Sequence, residues 1–492
     1  MTGLAGIVTC LSRRESNVIP KLLRMMRALK HRGNDAFGVA TEKELLIANN
    51  LRSLEARRLE SSIAIGYNLM EILPIDIPQP CQIPGGAISL DGEIYSEESV
   101  TGVEELVRNI NGTTVSDFLL NLVRSKNGAF AISAIVDGKI HLARDSLGLK
   151  PLYYGEDSEF YATASEKKAL WSAGITNATF FPPGNVAVVT DGGLAIKSAR
   201  TIPESKVDSA TTGSVAGEIH QRLLDSVRIR TNDTTDVAIA FSGGLDSGYV
   251  AYIAKSLDRN IALISVGMKE SHDLVHAQQA ARKLGIPIIS RVFDKEELQQ
   301  AISQILWCIE DCNPMRVEVA VAIGWIACTA AKEGYKVVLT GQGSDELFAG
   351  YARFARILAS KGSEAARKAM VKSVVEAHLT NYTRDEQVSN LHRIRLRHPF
   401  ADWGLTYTAL SLPIESNLGV GDISLRKMAL RESAKLAGVP RSIVEAPKCA
   451  VQYGSGIHKA LSEISRTRNL PVNQFLENVY KEISWDRPHS LQ

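Results

Sequence analysis

"AFSGGLDSGYVA" (residues 240–251) closes an apolar run, "DVAIAF" (236–241), and opens a helical pattern. The order is strand, glycine-rich turn, helix. Gly243 and Gly244 permit a tight turn that aims backbone N–H groups at an anion. Ser242 and Ser247 add hydroxyls. Asp246 stands near the start of the helix, where Mg2+ could join it to phosphate oxygens. No G-K-[ST] follows, so the stretch is not a Walker A loop. A lone S-G-G is a common turn. The full S-G-G-L-D-S after a buried strand points to a phosphate site.

Three further apolar runs, "IALISV" (261–266), "IPIISRVF" (286–293) and "YKVVLT" (335–340), alternate with helical patterns. That alternation predicts a parallel sheet covered on both faces. Loops at the carboxyl ends of its strands share one crevice. The fourth run leads into "TGQGSDELFAGY" (340–351), which again mixes glycines, Gly341 and Gly343, with acids, Asp345 and Glu346. Asp246 and Asp345 are therefore expected to face each other across a triphosphate and hold Mg2+. Read alone, Asp345 is an ordinary helix N-cap. "SVGMKESHD" (265–273) follows the second strand and is expected to border the nucleotide. Beyond about residue 352 the pattern is mostly helical.

Residues 1–200 are written in strands and turns instead. Asp137-Gly138 and Asp191-Gly192 each join two β runs, a strong hairpin signal. "LYYGEDSEFYATAS" (152–165) is a third hairpin, and one helix is expected at about 18–30 from Leu22, Leu23, Met26 and Leu29. Antiparallel strands with few helices suggest a sandwich with helices on its outer faces. "TIPESKVDSATTG" (201–213) is polar, carries Pro203 and ends on glycine, as a linker does. The expected domains are thus 1–200 and 214–492.

The composition narrows the class. A chain of 492 residues predicts two to four domains. Lys+Arg 56 against Asp+Glu 54 leaves a net charge of +2, which gives no footprint for nucleic acid. The six cysteines are scattered without a CxxC pair, favouring reduced thiols and a cytoplasmic setting. Cys308 and Cys312, one helical turn apart, are read as two buried helix cysteines. No signal-peptide pattern is present: Arg13 and Arg14 follow a weak apolar stretch instead of preceding a strong one. The longest apolar run, "VEVAVAIGWIACTAA" (317–331), carries Glu318 and reads as a buried helix, too short to span a membrane.

Taken together, S-G-G-L-D-S, G-x-G-S-D-E-L-F-x-G-Y, "RHPFAD" (397–402) and "APKCAVQYGSG" (446–456) resemble the synthetase half of the asparagine synthetase family. "HRGNDAFG" (31–38), "DGEIYS" (91–96) and "ARDSLGLKPLYYG" (143–155) resemble its first half, so the likeness runs in order along nearly the whole chain. It implies an α+β N-terminal αββα sandwich of the N-terminal-nucleophile type, a class II glutamine amidotransferase domain. It implies an α/β parallel-sheet ATP-pyrophosphatase domain (HUP-like) behind it, with a helical C-terminal part. In the family, ATP adenylates the side-chain carboxylate of aspartate, and ammonia from glutamine displaces AMP. By the resemblance, Ser242, Gly243, Gly244, Asp246, Ser247, Gly341 and Gly343 bind ATP and its pyrophosphate. Val266 and Gly267 lie against the adenine, and Asp246 and Asp345 hold Mg2+. Lys448 neutralises the charge that develops on the phosphates; its bland alternative is a surface lysine. Glu93 and Asp117 hold the glutamine amino group, and Arg58 its carboxylate.

Four positions depart from the family pattern. Its nucleophile, a cysteine at position 2 with a free α-amine as base, is Thr2 here, and an alcohol is a far weaker nucleophile than a thiol at neutral pH. Cys10 cannot replace it, since no α-amine is near. The oxyanion-hole asparagine is Asp91, whose carboxylate cannot donate a hydrogen bond, although Gly92 keeps its N–H. Gln342 stands where glutamate is common, and it cannot serve as a general base. Arg395 also replaces a glutamate, within the basic run His392, Arg393, Arg395, Arg397 and His398. That run is either a solvated helix face or a site for a carboxylate or phosphate. The expectation is an AMP-forming amidoligase with ATP and Mg2+. Its acceptor is aspartate, and its nitrogen is ammonia, free or from a separate glutaminase, with glutamine hydrolysis lost. A homodimer is allowed, and no membrane or nucleic-acid partner is expected. The rival readings are a lactam-forming or other amide ligase on a different acid, a non-catalytic nucleotide-binding regulator, and a tRNA-modifying ATP-pyrophosphatase.

Overall fold

The structure is a computed structural model that describes residues 4–74, 76–96, 99–110, 112–202, 212–269, 271–418, 426–447 and 454–485. The chain forms two compact units. One takes residues up to Thr201 together with the segment from Ile483, and the other takes Ile202–Glu482. Trp485 joins the first unit through an edge-on contact with Trp171, ring centroids 5.1 Å apart.

The first unit carries, among the described residues, two antiparallel sheets of seven strands each. Period-two alternation sorts each strand between two cores. In Leu4–Ser12, Ile7 and Leu11 enter the core between the sheets with Ile65, Tyr67 and Leu142, while Val8 and Cys10 face the other way. There they meet Leu22, Met26 and Leu29 of and just beyond helix Ile19–Ala28, and Leu170 of helix Lys167–Ser172. A third core packs Ile88 and Ile132 of the second sheet against Leu106, Leu119 and Val123 from helices Val103–Asn109 and Val115–Ser125. The result is the expected αββα sandwich. Asp137 and Gly138 both take positive φ, 49° and 70°, as a two-residue hairpin requires. Burial pushes the Cys10 thiol up to about 12, so it is an inert core residue.

The second unit is built on a five-stranded parallel sheet in the order Ile288–Phe293, Asn260–Met268, Asp236–Ala240, Val337–Leu339, Arg395–Arg397. In chain order this is 3-2-1-4-5. The topology reverses between the first strand and the fourth, which opens a crevice at their carboxyl ends. The fifth strand is absent from the sequence reading, and it corrects one branch of that reading. The basic run is not a solvated helix face: Arg395 and Arg397 are 2% and 1% exposed. Arg397 donates to Asp233 through both terminal nitrogens at 2.6 Å and to the Arg230 carbonyl at 2.6 Å.

Helix Pro314–Lys332 extends the apolar run at both ends, capped by the Asn313 side chain, which accepts from Arg316 N at 3.3 Å. Its 19 residues are long and apolar enough to cross a membrane, yet most of them are buried within the unit. Cys308 lies in the last turn of helix Lys295–Ile309, but Cys312 lies beyond the left-handed residue Glu310 and is half-buried, so the two do not share one helix face. Helix Thr383–Asn390, "TRDEQVSN", is polar in sequence and buried at all eight positions.

Candidate active site

Both loops expected to hold phosphate lie at the topological switch. Ser242–Gly244 leads from the first strand into helix Leu245–Ser256, with Gly243 at φ +80° and Gly244 as the N-cap. A Cβ on Gly243 would stand 2.8 Å from His276 Nδ1, so the turn closes this tightly only without a side chain. Ser242 Oγ lies 3.3 Å from Ser247 Oγ and accepts from Gly244 N at 3.4 Å, which folds the loop on itself. The second loop meets the first directly: a Cβ on Gly341 would stand 2.9 Å from Asp246 Cβ. Gly343, at φ +96°, packs under Tyr382 OH and starts helix Ser344–Leu347, whose first turn carries Asp345. Val266 and Gly267 sit near the end of the neighbouring strand Asn260–Met268.

The two aspartates converge on a residue that the sequence reading missed. Lys427 Nζ donates to both Asp246 carboxylate oxygens at 2.7 Å and lies 2.6 Å from Asp345 Oδ1. It also donates to Ser344 Oγ at 2.8 Å. The crevice is lined by Ser242, Gly244, Asp246, His276, Lys427 and Pro447, among others. Lys448 itself lies outside the described residues, but both flanks of its stretch are fixed. Arg431 donates to the carbonyls of Val444 and of Ala446, the latter at 3.1 Å. On the far side Ser271 Oγ donates to Gly454 O at 2.7 Å and Met268 N to Ser455 O at 2.7 Å.

Beside the second loop lies a hydrogen-bonded polar cluster. Gln342 Nε2 donates to Asp385 Oδ2 at 2.8 Å, and Arg384 Nε donates to Asp385 Oδ1 at 2.8 Å. Gln342 is thus a neutral donor on a buried carboxylate. Glu346 accepts from Asn381 Nδ2 at 2.8 Å and from Tyr351 OH at 2.5 Å. Burial, then the neighbouring Asp345, raise its carboxyl above the usual range. No group of three or more His, Cys, Asp or Glu side chains forms a metal cage among the described residues. Two carboxylates completed by substrate phosphates and water is the pattern Mg2+ prefers, so Asp246 and Asp345 fit that ion.

In the first unit, Thr2 lies outside the described residues. Asp91 and Gly92 sit in strand Gly86–Tyr95. Gly92 takes φ +119°, and a Cβ there would stand 1.9 Å from Ala129 O. Asp91 is fully buried, accepts from Arg32 Nη2 at 2.8 Å and has Lys150 Nζ at 3.8 Å. Arg32 also reaches Glu166 at 3.2 Å, and Glu166 meets His31 Nε2 at 2.8 Å and Lys168. Burial alone would raise the Glu166 carboxyl; His31, Lys168 and Arg32 outweigh it and hold the group well below its ordinary value. Burial lowers the His31 pKa, with Glu166 opposing. Glu93 is buried and accepts from Tyr95 OH at 3.0 Å. Arg58 and Asp117 are exposed, and Asp117 accepts from Thr114 Oγ1 at 2.8 Å in a helix cap. The three residues assigned to glutamine are therefore split: Glu93 is buried, while Arg58 and Asp117 are exposed.

An αββα sandwich joined to a doubly wound nucleotide-type crevice defines a two-part amidotransferase architecture. Comparison with known families makes this specific. The asparagine synthase family matches residues 218–474, and a glutamine amidotransferase domain matches residues 78–172. The "Putative asparagine synthetase (glutamine-hydrolyzing) 1" of Methanocaldococcus jannaschii is 28% identical over 98% of this chain and 99% of its own length. Asparagine synthetase B of Escherichia coli is 25% identical over 89% of this chain and 79% of its own. The human asparagine synthetase is 27% identical over 66% of this chain and 63% of its own. The chain belongs to the asparagine synthase family. It is a carbon–nitrogen ligase of the AMP-forming kind, an ATP-dependent amidoligase.

Proposed function

We propose that the second unit activates the side-chain carboxylate of aspartate and amidates it with ammonia, while the first unit no longer hydrolyses glutamine. A carboxylate oxygen attacks the α-phosphorus of ATP, the bond to the β-phosphate bridging oxygen breaks, and pyrophosphate leaves. Ammonia nitrogen then attacks the acyl carbon, the acyl–phosphate bond breaks, AMP departs and a proton is lost. The Ser242–Ser247 loop, with Gly341 and Gly343 opposite, receives the phosphates. Val266 and Gly267 border the adenine, and neutralising the developing negative charge is the role assigned to Lys448. Mg2+, held by Asp246 and Asp345, would neutralise phosphate oxygens. The observation that carries this reading is the meeting of Asp246 and Asp345, one from each loop, at the point where the sheet order reverses.

Loss of the glutaminase rests on two residues acting together. Thr2 is a poorer nucleophile than cysteine. Asp91 presents a buried carboxylate where the reaction requires a donor, and losing one such donor already costs about 10²–10³ in rate. A second acceptor, another carboxylic acid, is favoured by Gln342, which donates to Asp385 where a glutamate would repel it. The deciding experiment measures pyrophosphate release and product from Mg-ATP, aspartate and either ammonium chloride or glutamine. Asparagine with ammonium alone is the expected result. Equal rates with glutamine would restore a working Thr2. No pyrophosphate with aspartate, but release with another acid, would move the assignment to the second acceptor.

A further inference from the structure

Lys427 takes no part in the chemistry above, yet it occupies the point where that chemistry gathers charge. Four oxygens surround its Nζ: both from Asp246 at 2.7 Å, Asp345 Oδ1 at 2.6 Å and Ser344 Oγ at 2.8 Å. The socket around it is built for the arm. A Cβ on Gly350 would stand 2.3 Å from Lys427 Cε and 2.0 Å from Asp345 Oδ1, so glycine is required there for the arm to pass. The Lys427 backbone is left-handed, φ 61° and ψ 40°, a conformation that non-glycine residues adopt rarely and that clusters at functional sites. Arg431 Nε donates to Arg426 O at 2.8 Å and pins the carbonyl just before it. The lysine side chain is 4% exposed.

We propose that Lys427 is a resident counter-cation: it fixes Asp246 and Asp345 at their working separation before nucleotide arrives and denies their oxygens to a free divalent ion. This rests on the reading of the two aspartates as the Mg2+ side of the ATP site. Two carboxylates sharing one point repel unless a cation lies between them. The ammonium satisfies them, and a divalent ion entering alone would meet its positive charge at contact distance. A triphosphate changes the sum, because its own negative charge accommodates both cations and offers the ammonium new acceptors. Metal and triphosphate therefore enter together, and the crevice does not fill with metal in advance.

The test titrates Mn2+ against the full-length protein, with free Mn2+ read by electron paramagnetic resonance. It is run with and without an ATP analogue whose α,β-bridge is a methylene, and only Mn2+ bound beyond what the analogue takes up without protein is counted. The wild-type protein is expected to bind Mn2+ tightly only with the analogue. Lys427→Met is expected to bind Mn2+ alone on the order of 100-fold more tightly than wild type, the scale of removing one unit charge a few ångströms away at intermediate dielectric. Its melting temperature should then rise with Mn2+. Lys427→Arg should keep the wild-type refusal. Wild type binding Mn2+ equally with and without the analogue overturns the proposal, as does Lys427→Met binding no more tightly than wild type. If Lys427→Met does not fold, the two wild-type titrations decide by themselves. Absence of Mn2+ binding even with the analogue removes the nucleotide reading of the aspartates, and this proposal with it.

Discussion

In the first unit, Asp91 and Glu166 face Arg32, Lys150 and Lys168 with every one of these side chains at most 6% exposed. In the second, Asp246 and Asp345 share Lys427 while keeping 18% and 16% of their own side chains open. The chemistry of the partners is the same, and the access of solvent is not. A sealed ionic network has no route by which a partner can be exchanged. Breaking it leaves a buried charge uncompensated, so its role is to hold strands and helices in register. A network at the mouth of a crevice can trade a partner for a ligand. The same types of residue therefore mark structure in one unit and a working site in the other.

The sharpest way to break this contrast is Asp345→Asn. Pyrophosphate release should fall by about 10²–10³, the scale for loss of one directed electrostatic contact at a reacting centre, while the melting temperature changes little. Arg32→Met should do the reverse. It leaves Asp91 and Glu166 short of a buried partner and should cost about 3–5 kcal/mol in denaturant unfolding of the first unit. Pyrophosphate release by the folded fraction should be kept. A large activity loss from Arg32→Met without destabilisation would erase the distinction. Asp91→Asn is milder, since Arg32 keeps Glu166; about 1–3 kcal/mol is expected. Glutamine-dependent product should remain absent until Thr2→Cys is added, and its appearance with Asp91→Asn alone would show that Thr2 is competent.

The smallest effect is the most diagnostic of a sealed network. Burial holds the His31 pKa below its ordinary 6.5. Below about pH 6.5 the unfolded chain takes up a proton that folded His31 refuses, so stability falls as pH drops through that window. Glu166, held below 4.5, acts in the same direction further down: its stabilisation is present above its ordinary value and lost as pH falls through the folded one. The groups facing His31 are Glu166, Lys168 and Arg32. Melting temperatures of wild type should decline from about pH 7.5 to about pH 5, and His31→Gln should flatten the upper part of that decline. An unchanged slope would mean that His31 titrates as an exposed residue does.

Much of this contrast was legible in the sequence, and the illegible part has physical reasons. The loop at Ser242–Ser247, the acids Asp246 and Asp345 and the hairpin at Asp137-Gly138 are local signals, carried by glycines and short-range spacing. Lys427 is not local: it stands 181 residues from Asp246, and "RKMALRE" looks like an ordinary helix start. The strand Arg395–Arg397 is three residues long and basic, and Asp233 and the Arg230 carbonyl, both distant in sequence, receive Arg397 where it is buried. The network around Glu166 depends on "HR" at 31–32 meeting "SEKK" at 165–168, a pairing with no sequence periodicity. Lys448 and Thr2, both singled out from the sequence, lie outside the described residues.

Helix Thr383–Asn390 has a consequence for the order of folding. Seven of its eight residues are polar or charged, and Val388 alone offers an apolar surface to bury. Such a segment cannot start a collapse, because burying it early would strip water from groups whose partners have not yet arrived. Those partners, Gln342 for Asp385 and Glu310 for Gln387, come from distant parts of the chain. The apolar shell of the parallel sheet must form first and the helix lock in afterwards. Substitutions along it should therefore speed unfolding while leaving the folding rate nearly unchanged, giving folding φ-values near zero.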